Sequence, residues 1–188
     1  TVGNNQKIKL TYTTSYYNTN IPKVNGATVY VKNSSGTIFN FVELSGTGEY
    51  ICSDFIPVID ETYTLTINNG TNTYTATETL KSVAPITKIV QNNEGGFAGK
   101  NIEIKTFFID PANTPNYYLY KYVYSNQIKS NYYVDEDEFF NGNEFFSISQ
   151  NDDLKPGDTL EISHFGISKA YFNYMNVLVS IAGNSGGG

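Results

Sequence analysis

The chain contains no arginine and no tryptophan, and only one cysteine, one methionine and one histidine among its 188 residues. All 12 basic side chains are lysines, set against 18 acidic ones, for a net charge of -6. Binding a phosphate backbone needs a basic surface, usually with guanidinium forks, so no nucleic acid is expected as a partner. The lone Cys52 rules out an internal disulfide framework and a thiolate zinc cluster. No apolar run reaches the ~18 residues that a membrane-spanning helix needs, and no signal-peptide pattern opens at Thr1. Charge is also scarce, at 16% of residues against a usual quarter. What is abundant is aromatic surface, with 16 tyrosines and 12 phenylalanines. Chains that stay disordered are aromatic-poor, so this composition points to packed, β-rich, soluble domains.

Period-two alternation dominates the first half. Ile8, Leu10 and Tyr12 share one face of a first strand, Ala27, Val29 and Val31 one face of a second, and Phe39 and Phe41 one face of a third. Tyr50 follows a Gly-rich turn; Tyr63, Leu65 and Ile67, then Tyr74, Ala76 and Leu80, continue the pattern. Successive strand side chains point to opposite faces, so each run presents one apolar and one wet face. Asn25-Gly26, Asn33-Ser34-Ser35-Gly36, Ser45-Gly46-Thr47-Gly48 and Asn68-Asn69-Gly70 lie between the runs and suit hairpin turns. Short strands with a turn about every ten residues predict an antiparallel sandwich over residues 1–84.

Pro85 cannot donate to a ladder and holds Ala84 extended, which marks a boundary. Over 85–188 a second antiparallel β domain is expected, a sheet or partial barrel. Its strands run through Ile102, Ile104 and Phe108, Tyr117 to Tyr124, Ile128 to Val134, Phe145 to Ile148 and Thr159 to Phe165. Asp110-Pro111 and Lys155-Pro156-Gly157-Asp158 read as turns. An amphipathic helix is predicted over about 168–182, because Tyr171, Tyr174, Leu178 and Ile181 recur at three and four. Ser168 suits its N-cap, Ile167 and Phe172 a hydrophobic staple, and Gly183 a left-handed C-terminal cap. The helix is expected to lie against the second sheet.

Chemistry-bearing groups are sparse. Asp135-Glu136-Asp137-Glu138 lacks the central Gly and terminal Glu of a calcium loop and reads as a solvated acidic segment. Asn151-Asp152-Asp153 ahead of Pro156-Gly157-Asp158 reads as hairpin chemistry. His164, on the face of Leu160 and Ile162, has no nucleophile elbow, H-E-x-x-H or second histidine beside it, so it reads as a core residue. Cys52 reads as a small buried apolar residue. Gly95-Gly96 has no phosphate-cradle pattern, and Glu43, Glu49, Glu78 and Glu103 form no pair spaced for glycosidase chemistry. No catalytic residue, cofactor site or metal site is expected, and the chain reads as non-enzymatic. Tyr118, Tyr120, Tyr122 and Tyr124 line one face of a single strand. Two readings stay open for them: a platform on which a glycan or peptide stacks, or the packed face of a buried strand.

A resemblance sharpens this. Gly26-Ala27-Thr28-Val29 through Gly48-Glu49-Tyr50 to Tyr63-Thr64-Leu65-Thr66-Ile67 is similar to immunoglobulin-like or transthyretin-like sandwich modules of bacterial surface proteins. Tyr74-Thr75-Ala76-Thr77-Glu78-Thr79, Val83-Ala84-Pro85-Ile86, Ile109-Asp110-Pro111 with Asn116-Tyr117-Tyr118, Leu154-Lys155-Pro156-Gly157-Asp158-Thr159 and Ile167-Ser168-Lys169-Ala170-Tyr171-Phe172-Asn173-Tyr174 follow in order. Together they resemble the Bacteroidetes lipoprotein family catalogued as domain-of-unknown-function family 4249, over nearly the whole chain. The resemblance implies an outer-membrane lipoprotein on the extracellular face, held by an N-terminal lipid anchor. It also implies an accessory role beside a TonB-dependent transporter or a related outer-membrane β-barrel. The family's lipobox cysteine and first strand do not precede Thr1, and its final strand would follow Gly188, so both ends are expected to lie outside this sequence.

Overall fold

A computed structural model describes residues 5–15, 17–96, 99–125, 130–151 and 154–184. The chain is mostly β, all pairings are antiparallel, and one helix lies near the C-terminus. It divides into two compact units, Thr1–Leu80 and Lys81–Gly188, so the division falls just ahead of the segment leading to Pro85.

The first unit holds β1 (Gln6–Lys9), β2 (Thr28–Asn33), β3 (Ile38–Leu44), β4 (Glu49–Cys52), β5 (Thr62–Asn69) and β6 (Asn72–Thr79). They form one series in the order β1-β4-β3-β2-β5-β6. β3 is the corner. Its residues Ile38 to Phe41 pair with β2, and Val42 to Leu44 pair with β4. The sheet changes partner there and folds over one core of Val29, Val31, Phe41, Tyr50, Cys52 and Phe55. Ile8, Leu10, Ala27, Phe39, Tyr63, Leu65 and Ile67 pack around it, which are the positions that alternation marked. Tyr12 and Tyr74 depart from that pattern, being about half exposed near the sheet edges. The Tyr50 hydroxyl donates to the Val24 carbonyl (3.0 Å) and accepts from the Ala27 N–H (3.0 Å), tying the loop before β2 to the core.

The second unit holds β7 (Ile86–Gly95), β8 (Asn101–Ile109), β9 (Tyr117–Tyr124), β10 (Asn131–Glu136), β11 (Glu144–Asn151), β12 (Leu160–Gly166) and α1 (Lys169–Asn184). Two three-stranded sheets, β10-β9-β12 and β11-β8-β7, face each other across a core of Phe108 and the β9 tyrosines. β7 is a strand that alternation did not reveal. Register shifts at Ile86/Lys88 and Asn92/Gly95 break its period, and nearly all of it is exposed at a sheet edge. Ile128 and Asp152-Asp153 lie outside the described residues.

Ser168 caps α1, its Oγ accepting from the Tyr171 N–H at 3.2 Å. Gly183 does not end the helix, which runs on to Asn184. As expected, α1 lies against a sheet of the second unit, but not through the stripe that its spacing marked. It packs on β10 and β9 through Phe172 and Met175, with Val179 half-buried, whereas Tyr171, Tyr174, Leu178 and Ile181 face outward.

Candidate functional site

The β9 tyrosines come first, because they are the candidate ligand residues. Tyr118, Tyr120, Tyr122 and Tyr124 are between 0% and 1% exposed. They are the interior of the second unit rather than an open platform. The physical reason is the opposing sheet: β8 and β11 lay Thr106, Phe108, Ser147 and Ser149 over the ring row, and all four are buried. Tyrosine at such positions demands a polar partner for each hydroxyl. Tyr118 donates to Asp110 Oδ1 at 2.5 Å, and Asp110 Oδ2 accepts the Gly142 N–H at 3.0 Å. Tyr122 bonds Ser147, and Tyr124 bonds Ser149. Ser147 and Ser149 stand two apart on β11, the same step as Tyr122 and Tyr124 on β9. That matched spacing of small hydroxyls is a signal in the sequence that could have marked the row as core, and alternation alone did not use it. Burial, the largest influence, pushes all four phenols above their ordinary value, opposed at Tyr122 by its hydrogen-bond partners.

One position in the row is not satisfied. The Tyr120 hydroxyl, Thr106 Oγ1 and both ring nitrogens of His164 close no hydrogen bond of good geometry. Asp135 lies near the Tyr120 hydroxyl, Tyr122 near Thr106 and the Ala84 backbone near His164, close enough to influence them without completing a bond. His164 stands opposite Tyr120 in register, and its ring stacks on Tyr120 at 4.9 Å and 14°. Phe108 lies 4.6 Å and Tyr118 4.9 Å from the same ring. Burial pushes the imidazole down to about 4, and the Ala84 backbone acts more weakly in the other direction. On the adjoining strand, burial pushes the Asp135 carboxyl up to about 6, with the Tyr120 hydroxyl pulling less strongly the other way. The acidic run is therefore not wholly a solvated segment. Asp135 is half-buried and Asp137 buried in a 3-10 turn, where Asn141 Nδ2 donates to it at 3.1 Å. The Tyr120 hydroxyl and the His164 ring nitrogens are buried, whereas His164 and Asp135 as residues are only partly so.

Elsewhere the chemistry-bearing residues are tied locally. Cys52 is buried and donates through Sγ to Asp54 Oδ1 at 2.9 Å, and burial raises its thiol. Glu43 accepts the Gly26 N–H at 2.7 Å, Glu49 pairs with Lys7 at 3.2 Å, and Glu103 pairs with Lys105 at 3.3 Å. Among the described residues, no group of three His, Cys, Asp or Glu side chains is placed to hold a metal ion.

What the second unit offers to solvent is the outer face of α1. At roughly 100° per residue, three stripes run along this helix. Phe172, Met175 and Val179 meet the sheet, and Asn173, Asn176 and Ser180 are polar and exposed. Tyr171, Tyr174, Val177, Leu178 and Ile181 form an apolar stripe that is 42–61% exposed. Tyr171 and Tyr174 stack at 6.0 Å on that stripe. Lys169 is the sole charged residue of α1, and the stripe has no carboxylate or ammonium along its length. A groove of about 510 Å³ runs beside it between α1 and β10, lined by Tyr132, Tyr133, Met175, Leu178 and Val179. Isolated exposed apolar residues are ordinary, but a contiguous aromatic and aliphatic stripe marks an interaction surface. Alternation and helical spacing located these residues and assigned them the wrong side. The apolar arc of α1 is wider than the strip of sheet beneath it.

No curated protein matches the chain, and no solved structure matches it. A family model does, over residues 1–187, described as Domain of unknown function (DUF4249). Nearly the entire chain, both β units and α1 included, falls within that match, and the chain belongs to the DUF4249 family.

Proposed function

We propose that this chain is a non-enzymatic docking module, an accessory lipoprotein on the exterior of the outer membrane that binds a β-barrel protein, a TonB-dependent transporter or a related assembly. One observation carries the reading: the uncharged aromatic and aliphatic stripe Tyr171, Tyr174, Val177, Leu178 and Ile181, left open on a helix whose other apolar face is already used. Anchors at i, i+3, i+7 and i+10 are how an amphipathic helix engages a groove on another protein. Aromatic side chains are the usual energetic centre of such contacts. A lipid surface is the weaker fit. Helices that lie in a membrane interface carry a Lys/Arg-rich polar face, and α1 has a single lysine at its start. The anchor, the outer-membrane setting and the transporter partner follow from the family resemblance and belong to the proposal. A glycan or peptide on Tyr118, Tyr120, Tyr122 and Tyr124 would need open ring faces, and those rings are buried.

The test is purification of the full-length, lipidated protein from native membranes in mild detergent. The expected result is a retained barrel protein, lost when Tyr174→Glu and Leu178→Glu are combined. A wild-type protein that runs as a lone monomer, or a double variant that retains the barrel fully, would refute the proposal.

A further inference from the structure

The first unit ends its sheet differently at its two edges. β1 is four residues long and carries Lys7 and Lys9, which are features that blunt an edge against pairing. β6 is eight residues, pairs with β5 alone, holds an unbroken register from Asn72 to Thr79, and is exposed through residues 72–78. It contains no lysine, no proline and no bulge; Glu78 is its one charge. The β5–β6 hairpin closes through the two-residue loop Gly70-Thr71, with Gly70 at φ 62°. Such a loop makes Asn69–Asn72 a hydrogen-bonded pair, and the bonding alternates from there. Asn72, Tyr74, Ala76 and Glu78 therefore turn their main-chain groups toward β5, while Thr73, Thr75, Thr77 and Thr79 turn theirs away. The Thr79 N–H fits this assignment, since it donates to Glu78 Oε1 at 2.9 Å instead of to β5.

We propose that β6 is a strand-addition edge whose occupant is β6 of a second copy of this chain, paired antiparallel about a two-fold axis at Thr75. Three features of the strand select itself as partner. In the register Thr75 to Thr75, Thr73 meets Thr77 of the copy, and every outward main-chain group of residues 73–77 gains a partner. On the solvent face, threonine meets threonine, continuing the ladder already built between β5 and β6 by the Thr62–Thr79 and Thr64–Thr77 hydroxyl bonds, 2.8 and 2.9 Å. On the core face, the large Tyr74 meets the small Ala76. Ala76 lines an apolar groove of about 350 Å³ with Val31, Phe55, Tyr63 and Leu65, so the incoming Tyr74 ring covers apolar surface now open. Glu78 falls opposite Asn72, and no like charges oppose. A strand of this length is only about 27 Å long and buries less than a standard interface, so the dimer is transient.

The experiment is sedimentation of the full-length chain up to about 1 mM, the upper limit of weak specific association. Concentration-dependent dimerisation is expected. It should weaken at least tenfold in Thr75→Pro, which removes an outward N–H that the fold does not use, as edge strands tolerate. It should weaken similarly in Thr75→Lys, which puts two ammonium groups together on the axis, and salt should partly reverse that loss. A synthetic peptide of residues 72–79 should compete. Thr75→Lys keeps the main chain intact, so it decides the matter if Thr75→Pro perturbs folding. A monomer at every concentration overturns the proposal, as does a dimer indifferent to both variants. A monomer whose Thr75 amide is protected from exchange does so too, because another segment then holds the edge.

Discussion

Acid should reveal the unpartnered histidine of the second unit. Folded His164 holds no proton until about pH 4, whereas an unfolded chain takes one near its ordinary value of 6.5. Between those limits the unfolded state binds more protons, so lowering the pH through 6.5 toward 4 removes stability. The interval is worth on the order of 2–3 kcal/mol at about 1.4 kcal/mol per pH unit. Asp135 works in the opposite sense. Its folded carboxyl takes a proton near pH 6 and its unfolded one near 3.8, so acid adds stability over that window. The gain is discounted by partial solvation, and in the wild type the two largely cancel. Single variants separate them. Asp135→Asn should lose stability steadily from pH 6.5 to 4, and His164→Phe, which keeps a ring against Tyr120 and Phe108, should gain it from pH 6 to 4. Urea unfolding followed by near-ultraviolet tyrosine dichroism at several pH values, each read as a difference from wild type, cancels the remaining carboxylates. A flat His164→Phe difference across that range would refute the reasoning, since it would mean that His164 is protonated as readily folded as unfolded.

Two further outcomes follow from the packing. Tyr122→Phe strands the buried Ser147 hydroxyl and should cost roughly 1–2 kcal/mol, whereas Ser147→Ala should cost less, because Tyr122 can turn to the unpartnered Thr106 hydroxyl; the double variant should be near neutral, checked by a denaturant double-mutant cycle. Phe172→Ala removes a buried anchor of α1 and should cost about 3–5 kcal/mol, while Tyr174→Ser on the open stripe should stay within about 0.5 kcal/mol, read from the same unfolding curves.

Much of the first unit was legible because alternation there coincides with burial. Val29, Val31, Phe41, Leu65 and Ile67 are inward in both. The same rule is silent on whether a face meets another sheet or a ligand, which is why Tyr118 to Tyr124 could be read either way until β8 and β11 were placed across from them. β7 was hidden by its bulges and its exposure, which leave no period to detect. Helical spacing found α1 and its Ser168 cap correctly. It chose the wrong stripe because two apolar stripes one residue apart both satisfy a three-and-four rhythm. Only the width of the sheet beneath decides which is buried. His164 read as core from its neighbours, but its lack of hydrogen-bond partners arises from three strands meeting and leaves no mark in the order of residues.

The docking role of α1 is tested most directly by a photo-crosslinking amino acid placed at Tyr174 and, separately, at Asn176 of the full-length protein in native membranes. Adducts to an outer-membrane barrel protein should form from position 174 and be weak or absent from 176, two residues along on the polar stripe. No adduct from 174, or equal yields from both positions, would contradict a specific contact through this face.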